Sequence, residues 1–274
     1  MYYIEFTDRL GNNLFQFAAA LSMGVEFKIY SNSSFVLNNV KKYKDIFYSG
    51  VDVVTTLPEK IEEYLEKSYR YSKIPHVLDT DVVLRGYFQS HKYICRQKVL
   101  SQFNLTSSCE NYVKKNFHFV YNECFNSIHV RRGDYLKMLY KHPFCGMQYY
   151  NEAISFLGRH ENYLIVSDDI DWCKANFKLP NVIFIENGNP LTDLYLQSLC
   201  VNNIISNSSF GWWGAYLNRN PSKIVVAPKM WFGFDWKDSI EDLLPEDYTV
   251  LDNGYSISQF ATAVLQRASV RFRR

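Results

Sequence analysis

The second half of the chain alternates two kinds of segment, and that alternation restricts it to one class of fold. Strand candidates stand at 126–130, 163–166, 182–185, 203–206 and 223–226. Helix signals fill the gaps near 147–158, 169–177, 190–201 and 208–217. Strand alternating with helix means βαβ units and a parallel sheet. Tyr163-Leu-Ile-Val, Val182-Ile-Phe-Ile and Ile224-Val-Val-Ala are apolar without interruption, as strands covered by helices on both faces must be. The first half repeats the theme less plainly. Residues 2–6 read as a strand. A helix follows in which Leu14, Phe17, Ala18 and Leu21 recur on one face, with Asn12 or Asn13 as cap and Gly24 as stop. Phe27–Tyr30 and Val82–Leu84 read as strands, Ile61–Tyr69 as a helix and 91–118 as mainly helical. Lys41, Lys42 and Lys44 read as a solvated face. The chain is thus expected to be α/β with two domains, 1–122 and 123–274.

In parallel sheets, ligands bind beyond the carboxyl ends of the strands. Three polar motifs stand at such ends: Arg131-Arg132-Gly133-Asp134, Ser167-Asp168-Asp169 and Ser206-Asn207-Ser208-Ser209. The topology brings them to one edge. Paired guanidiniums suit a phosphate or diphosphate, whose oxygens match their planar forks. On an extended strand His129 and Arg131 share a face and Arg132 starts on the other. Arg131 is placed to neutralise charge developing on a leaving phosphate. Arg132 either binds phosphate or supports the loop, and His129 is a hydrogen-bonding partner for base, sugar or phosphate. The alternative, that both arginines are simply ion-paired with Asp134 and another acid, stays open. So does the role of Asp134, as general base or as loop brace; two neighbouring arginines weaken it as a base. Ser167-Asp168-Asp169 either begins a helix, with Ser167 or Asp168 as its cap, or offers an aspartate carboxylate to the N1–H and amino group of guanine. Asp169-Ile-Asp171 is formally a metal-binding D-x-D, but a helix would turn its carboxylates about 200° apart, which argues against a metal. The serines from 206 to 209 and Phe210 open a helix, where free N–H groups cradle anions. A weaker cradle of the same kind, carrying Arg9 and Gly11, follows the first strand.

Composition removes other classes. A net charge of +2 gives no field for nucleic acid. Six scattered cysteines, with no C-x-x-C pair, suggest neither a zinc site nor a disulfide framework. The N-terminus has no signal-peptide pattern, and no apolar stretch reaches the roughly 18 residues of a membrane span. A glycan on the sequon at Asn207 would obstruct the serine motif. These features suit a cytoplasmic protein. Near the C-terminus, Phe260, Ala261, Val264 and Leu265 with Arg267, Arg271, Arg273 and Arg274 form either an amphipathic contact for an anionic membrane surface or a solvated basic end.

At these motifs the sequence resembles the α-1,2-fucosyltransferases. Asp8-Arg-Leu-Gly-Asn-Asn-Leu-Phe-Gln-Phe-Ala is similar to that family's G-R-L-G-N-Q-M-F-Q-Y-A, with Asp8 for the first Gly and Asn13 for the first Gln. His129-Val-Arg-Arg-Gly-Asp-Tyr matches H-x-R-R-x-D-Y, and the stretch from Ser206 to Leu217 matches S-x-S-S-F-S-W-W-G-A-Y-L apart from Gly211. The resemblance implies a GT-B architecture of two Rossmann-like domains facing a central cleft, with the acceptor side in 1–122 and the donor side in 123–274. It implies GDP-β-L-fucose as donor, inverting transfer to the 2-hydroxyl of a terminal β-galactoside, and no metal or other cofactor. It assigns donor binding to Arg9, Gly11, Asn12, His129, Arg131, Arg132, Asp168, Asp169, Ser206, Asn207, Ser208, Ser209 and Phe210. Arg131 is the leading catalytic candidate, followed by His129 and Asp134. A bacterial enzyme of surface polysaccharide or lipopolysaccharide synthesis, at the inner face of the membrane, would fit. The competing expectations are a different fucosyl linkage or a non-catalytic nucleotide-sugar binding module. Acceptor contacts are not legible.

Overall fold

A computed structural model describes residues 1–77, 79–159, 161–186, 188–234, 241–254 and 256–271. The chain forms two units. The first is Met1–Ser108, to which the described residues 241–245 return; the second holds the remaining described chain from Cys109 onward. The division falls earlier than the expected 122/123, because residues just before β6 already pack on the second unit. Phe119 lies 5.2 Å from the Phe125 ring and Tyr121 donates to Tyr195 at 3.4 Å.

The first unit contains β1 (Tyr2–Glu5), α1 (Leu10–Met23), β2 (Phe27–Tyr30), α2 (Ser34–Phe47), β3 (Val53–Val54), β4 (Glu62–Leu65), β5 (Val82–Arg85) and α3 (Arg96–Gln102). Its sheet runs β3-β2-β1-β5-β4, with every pair parallel. Two expectations need correction here. The helix expected over 61–69 is the edge strand β4. Ile61, Tyr64 and Leu65 have helical spacing, but Glu62–Leu65 pair residue by residue with Val82–Arg85. The exposed Glu62 and Glu63 protect an edge that has one neighbour. The cap of α1 is Arg9, not Asn12 or Asn13, because Asp8 turns the chain at φ 60 one residue earlier. Asn13 sits inside the helix and donates back to the Thr7 carbonyl at 2.6 Å. Gly24 ends α1 at φ 72, as expected. Lys41, Lys42 and Lys44 are exposed on α2.

Beyond α4 (Leu105–Asn116), the second unit contains β6 (Phe125–Val130), α5 (Met147–Leu157), β7 (Asn162–Ser167), α6 (Ile170–Asn176), β8 (Val182–Phe184), α7 (Pro190–Leu199), β9 (Asn202–Ile204), α8 (Ser209–Leu217), β10 (Val225–Pro228), β11 (Thr249–Leu251) and α9 (Ile257–Arg271). The sheet runs β11-β10-β9-β6-β7-β8, again all parallel. All six residues of β6 are buried, the price of the central place. Its core joins Ile128 and Val130 to Tyr149, Tyr150 and Ile154 of α5, Tyr163 and Ile165 of β7, Ile204 and Val226. The Tyr149 hydroxyl donates to the Ile205 and Val226 carbonyls at 2.5 and 3.1 Å, so α5 is pinned across β9 and β10. Trp212 and Trp213 are fully buried in α8. All six cysteines are free thiols.

Candidate active site

The strand order of the second unit creates a switch point. From β6 the chain builds outward through β7 and β8, then returns to place β9 on the other side of β6. The loops leaving β6 and β9 therefore diverge, and a crevice opens beyond their carboxyl ends. The two strongest sequence motifs are those two loops.

His129, next to last in β6, is 5% exposed. Its Nδ1 lies 2.9 Å from the Ser206 hydroxyl, and its ring is 5.6 Å from Phe210. Gly211 lets α8 come this close, since a Cβ there would stand 2.6 Å from His129 Nδ1. Burial, and then the charge of Arg131, push the imidazole pKa down to about 3. His129 is therefore neutral at physiological pH, a hydrogen-bonding group rather than a cation.

The two arginines separate in role. Arg131 Nη2 donates to Asp134 at 2.6 Å and Nη1 pairs with Asp168 at 3.1 Å. Its side chain stays 20% exposed beside the Tyr135 ring. Arg132 lies 3.9 Å above Trp172 and 4.8 Å from Phe144, and its Nε donates to Asp169 at 3.1 Å. Only 11% of that side chain meets solvent. Arg132 clamps α6 to the loop, while Arg131 lies along the crevice.

The third motif stands at the end of β7, beside β6. Asp168 accepts from the Arg132 N–H at 2.9 Å as well as from Arg131. A Cβ on Gly133 would collide with the Asp168 carboxylate, which explains a glycine after two arginines. The cap of α6 is Asp169, not the expected Ser167 or Asp168, because Asp168 is taken by the two arginines; Asp169 accepts from Trp172 N, besides holding Arg132. The D-x-D carboxylate is thus committed to the fold, and no group of three metal-ligand side chains occurs among the described residues.

In the serine loop, Ser206 is fully buried against His129, and Asn207 is 1% exposed. Asn207 Nδ2 donates to the Pro143 and Trp231 carbonyls at 2.6 and 3.0 Å, so it fastens the loop and could not carry a glycan. Ser208 caps α8 without spending its hydroxyl on the helix. Ser209 and Phe210, both partly exposed, form the first turn, whose N–H groups and dipole favour an anion.

One further group lies at this edge. Asp193 is in the first turn of α7, and α7 packs along α8. Gln197, one turn on, meets Gly214, and one turn back from Gly214 are Phe210 and Gly211 beside His129. Asp193 therefore sits level with the start of α8. Its Oδ1 is buried with no hydrogen-bond partner, and burial raises its pKa from 3.8 to about 7. An orphaned carboxylate with a raised pKa is a candidate ligand-binding group. The only sequence signal for it is an acid in the first turn of a helical stretch, Leu191 to Leu199.

The first unit has its own switch point, between β1 and β5. Arg9 caps α1, and Gly11 and Asn12 are in its first turn. Asn12 Oδ1 accepts from Gln89 at 2.8 Å, and Gln16 donates to the Gly86 carbonyl at 2.9 Å. Tyr87 donates its hydroxyl to Asp8 at 2.7 Å. Asp8 (φ 60) and Phe88 (φ 52) are the non-glycine residues with positive φ among those described, and both lie here. Such backbone strain concentrates at functional sites.

At the level of fold, the chain is similar to solved glycosyltransferases. The fucosyltransferase NodZ from Bradyrhizobium matches with a TM-score of 0.50 at 11% identity, over 78% of this chain and 91% of that one. A glycosyl transferase family 9 structure from Veillonella parvula matches with a TM-score of 0.51 at 9% identity, over 97% and 90%. The pair of parallel sheets is thus the GT-B type expected from the sequence. More specifically, residues 1–245 match the model of glycosyl transferase family 11, and the chain belongs to that α-1,2-fucosyltransferase family. An alpha-1,2-colitosyltransferase of Escherichia coli is 30% identical over 89% of this chain and 96% of its own length. The O-antigen biosynthesis glycosyltransferase WbnK of Escherichia coli is 40% identical over 42% of this chain, a match spanning 41% of WbnK. A galactoside 2-alpha-L-fucosyltransferase, SEC1 of Bos taurus, is 27% identical over 57% of this chain and 46% of its own.

Proposed function

We propose that this chain transfers L-fucose, with inversion, from GDP-β-L-fucose to the 2-hydroxyl of a terminal β-galactoside in the synthesis of a surface polysaccharide such as O-antigen. The carrying observation is the β6–β9 switch point, where a partly exposed Arg131 fork and the start of α8 flank a neutral, buried His129. A diphosphate satisfies both anion devices at once. Arg131 stabilises the charge that builds on the GDP oxygens as the glycosidic bond breaks. Asp134, held by Arg131 at 2.6 Å, aims that guanidinium. Guanine recognition, expected of Asp168, is better supplied by Asp193. The oxygens of Asp168 already receive Arg131 and Arg132, whereas Asp193 offers an unpartnered one to a ring N–H and an amino group. Relatives named for galactoside fucosylation and O-antigen synthesis support the acceptor and the context. No described helix is long and apolar enough to cross a membrane, which suits work at the cytoplasmic face.

A second reading keeps the site and changes the sugar. The relative matched over nearly its whole length is named for colitose, so GDP-colitose is the rival donor. Purified protein incubated with lactose and equal concentrations of the two donors separates them. Faster fucosyl transfer is the expected result. Exclusive colitosyl transfer would replace the donor, and binding of GDP without either transfer would leave a nucleotide-sugar binding module.

A further inference from the structure

Helix α9 is docked the wrong way round for a surface helix. At 3.6 residues per turn, Ile257, Phe260, Ala261, Val264 and Leu265 share one arc, and Gln259, Ala263, Gln266 and Val270 the opposite arc. The second arc faces the protein. Ala263 is buried on Leu139 and Tyr140, with Val270 packed beside it. Gln266 accepts from Leu139 N at 2.9 Å and donates to the Leu136 carbonyl at 2.8 Å. The larger apolar side chains are left in water, with Ile257 90%, Leu265 71%, Phe260 50% and Val264 44% exposed. Phe234, 44% exposed and 5.6 Å from the Phe260 ring, widens this patch. A surface helix ordinarily buries such residues and shows its polar ones.

Charge identifies what covers the patch. Residues 256–274 hold four arginines, at 267, 271, 273 and 274, and no aspartate or glutamate. The side chains of Arg271, Arg273 and Arg274 lie outside the described residues, so they enter by sequence alone. Arg267 and Lys141 lie 5.7 and 5.8 Å from the Tyr140 ring, at the rim of the docked face. A second copy of the chain would bring like charges together, with no acid in the segment to answer them. We propose that α9 is a monotopic docking helix for an anionic lipid bilayer, its Ile257–Leu265 face entering the headgroup boundary and its arginines meeting the phosphates. At fifteen residues it lies in the interface and does not cross it. The inference does not depend on the donor sugar or the acceptor.

The test is flotation of the full chain with vesicles of phosphatidylethanolamine and phosphatidylglycerol, set against phosphatidylcholine alone. Retention on the anionic vesicles is expected, about tenfold weaker on the neutral ones and reduced by ~0.5 M salt. The double variant Ile257→Ser, Leu265→Ser changes two solvent-exposed positions, so melting temperature and transfer to a soluble acceptor should be preserved while retention is lost. Equal retention of wild type and variant would overturn the proposal. So would a wild-type dimer in light scattering that the double variant abolishes, with no vesicle retention, since the face would then belong to a second copy.

Discussion

Replacing Arg131 with alanine separates a catalytic grip from a structural ion pair. The stability cost follows from the two partners left behind. Asp134 is 35% exposed and Asp168 27%, so water reaches both. Asp168 also keeps the Arg132 N–H at 2.9 Å. The loss is therefore that of a solvated pair, about 1 kcal/mol, which lowers Tm by roughly 2–4 °C in a chain of this size. The catalytic cost is larger. A preorganised donor aimed at developing charge contributes about 10²–10³ in kcat, or roughly 2.7–4 kcal/mol. The assay pairs steady-state kcat at saturating GDP-fucose with a thermal melt. Arg131→Ala should lose at least about a hundredfold in kcat and keep a cooperative melt. Arg131→Lys should fall between, since one ammonium cannot reach Asp134, Asp168 and a phosphate together. A kcat within about threefold of wild type, with a Tm drop beyond about 10 °C, would refute the reasoning and make the pair structural.

The neighbouring arginine should behave in the opposite way: Arg132→Ala removes the stack on Trp172 and Phe144 and the pair with Asp169, which keeps the Trp172 N–H, costing about 2 kcal/mol in urea denaturation with little change in the KM for donor. Asp193 and His129 give stability opposite dependences on pH. The raised pKa of Asp193 means the folded state holds a proton that the unfolded state releases, so stability falls as pH rises from 3.8 to about 7, by at most about 4 kcal/mol. The lowered pKa of His129 means stability falls as pH drops from 6.5 toward about 3. Asp193→Asn should flatten the first slope in urea midpoints measured across pH and raise the KM for GDP-fucose; an unchanged slope and KM would remove Asp193 from the site. Excess EDTA should leave turnover intact, and loss of activity restored by a divalent ion would reinstate a metal.

The second half of the fold was legible because β7, β8 and β10 carry uninterrupted apolar runs, the pattern of a doubly covered parallel sheet. The edge strand β4 was not, because Glu62 and Glu63 are poor strand formers; what holds them is the pairing with β5, twenty residues on in sequence. The cap of α1 was missed for a related reason, since the turn at Asp8 comes from a positive φ that an aspartate seldom adopts. At the site, the motifs and their shared edge were readable, but the division of labour between Arg131 and Arg132 was not. It depends on Trp172 and Phe144, which reach Arg132 only in the fold. Asp193 stayed hidden because an acid in a first helical turn is already explained by the helix dipole. Its missing partner is visible only in three dimensions.

The central claim is tested most directly by the structure of the product. Purified protein, GDP-β-L-fucose and lactose should yield one trisaccharide, and two-dimensional NMR should show an α-fucosyl anomeric proton coupled through space to H2 of the galactose. A fucose at any other hydroxyl, a β-anomer, or intact GDP-fucose after prolonged incubation with lactose and with type 1 and type 2 disaccharides would contradict the account.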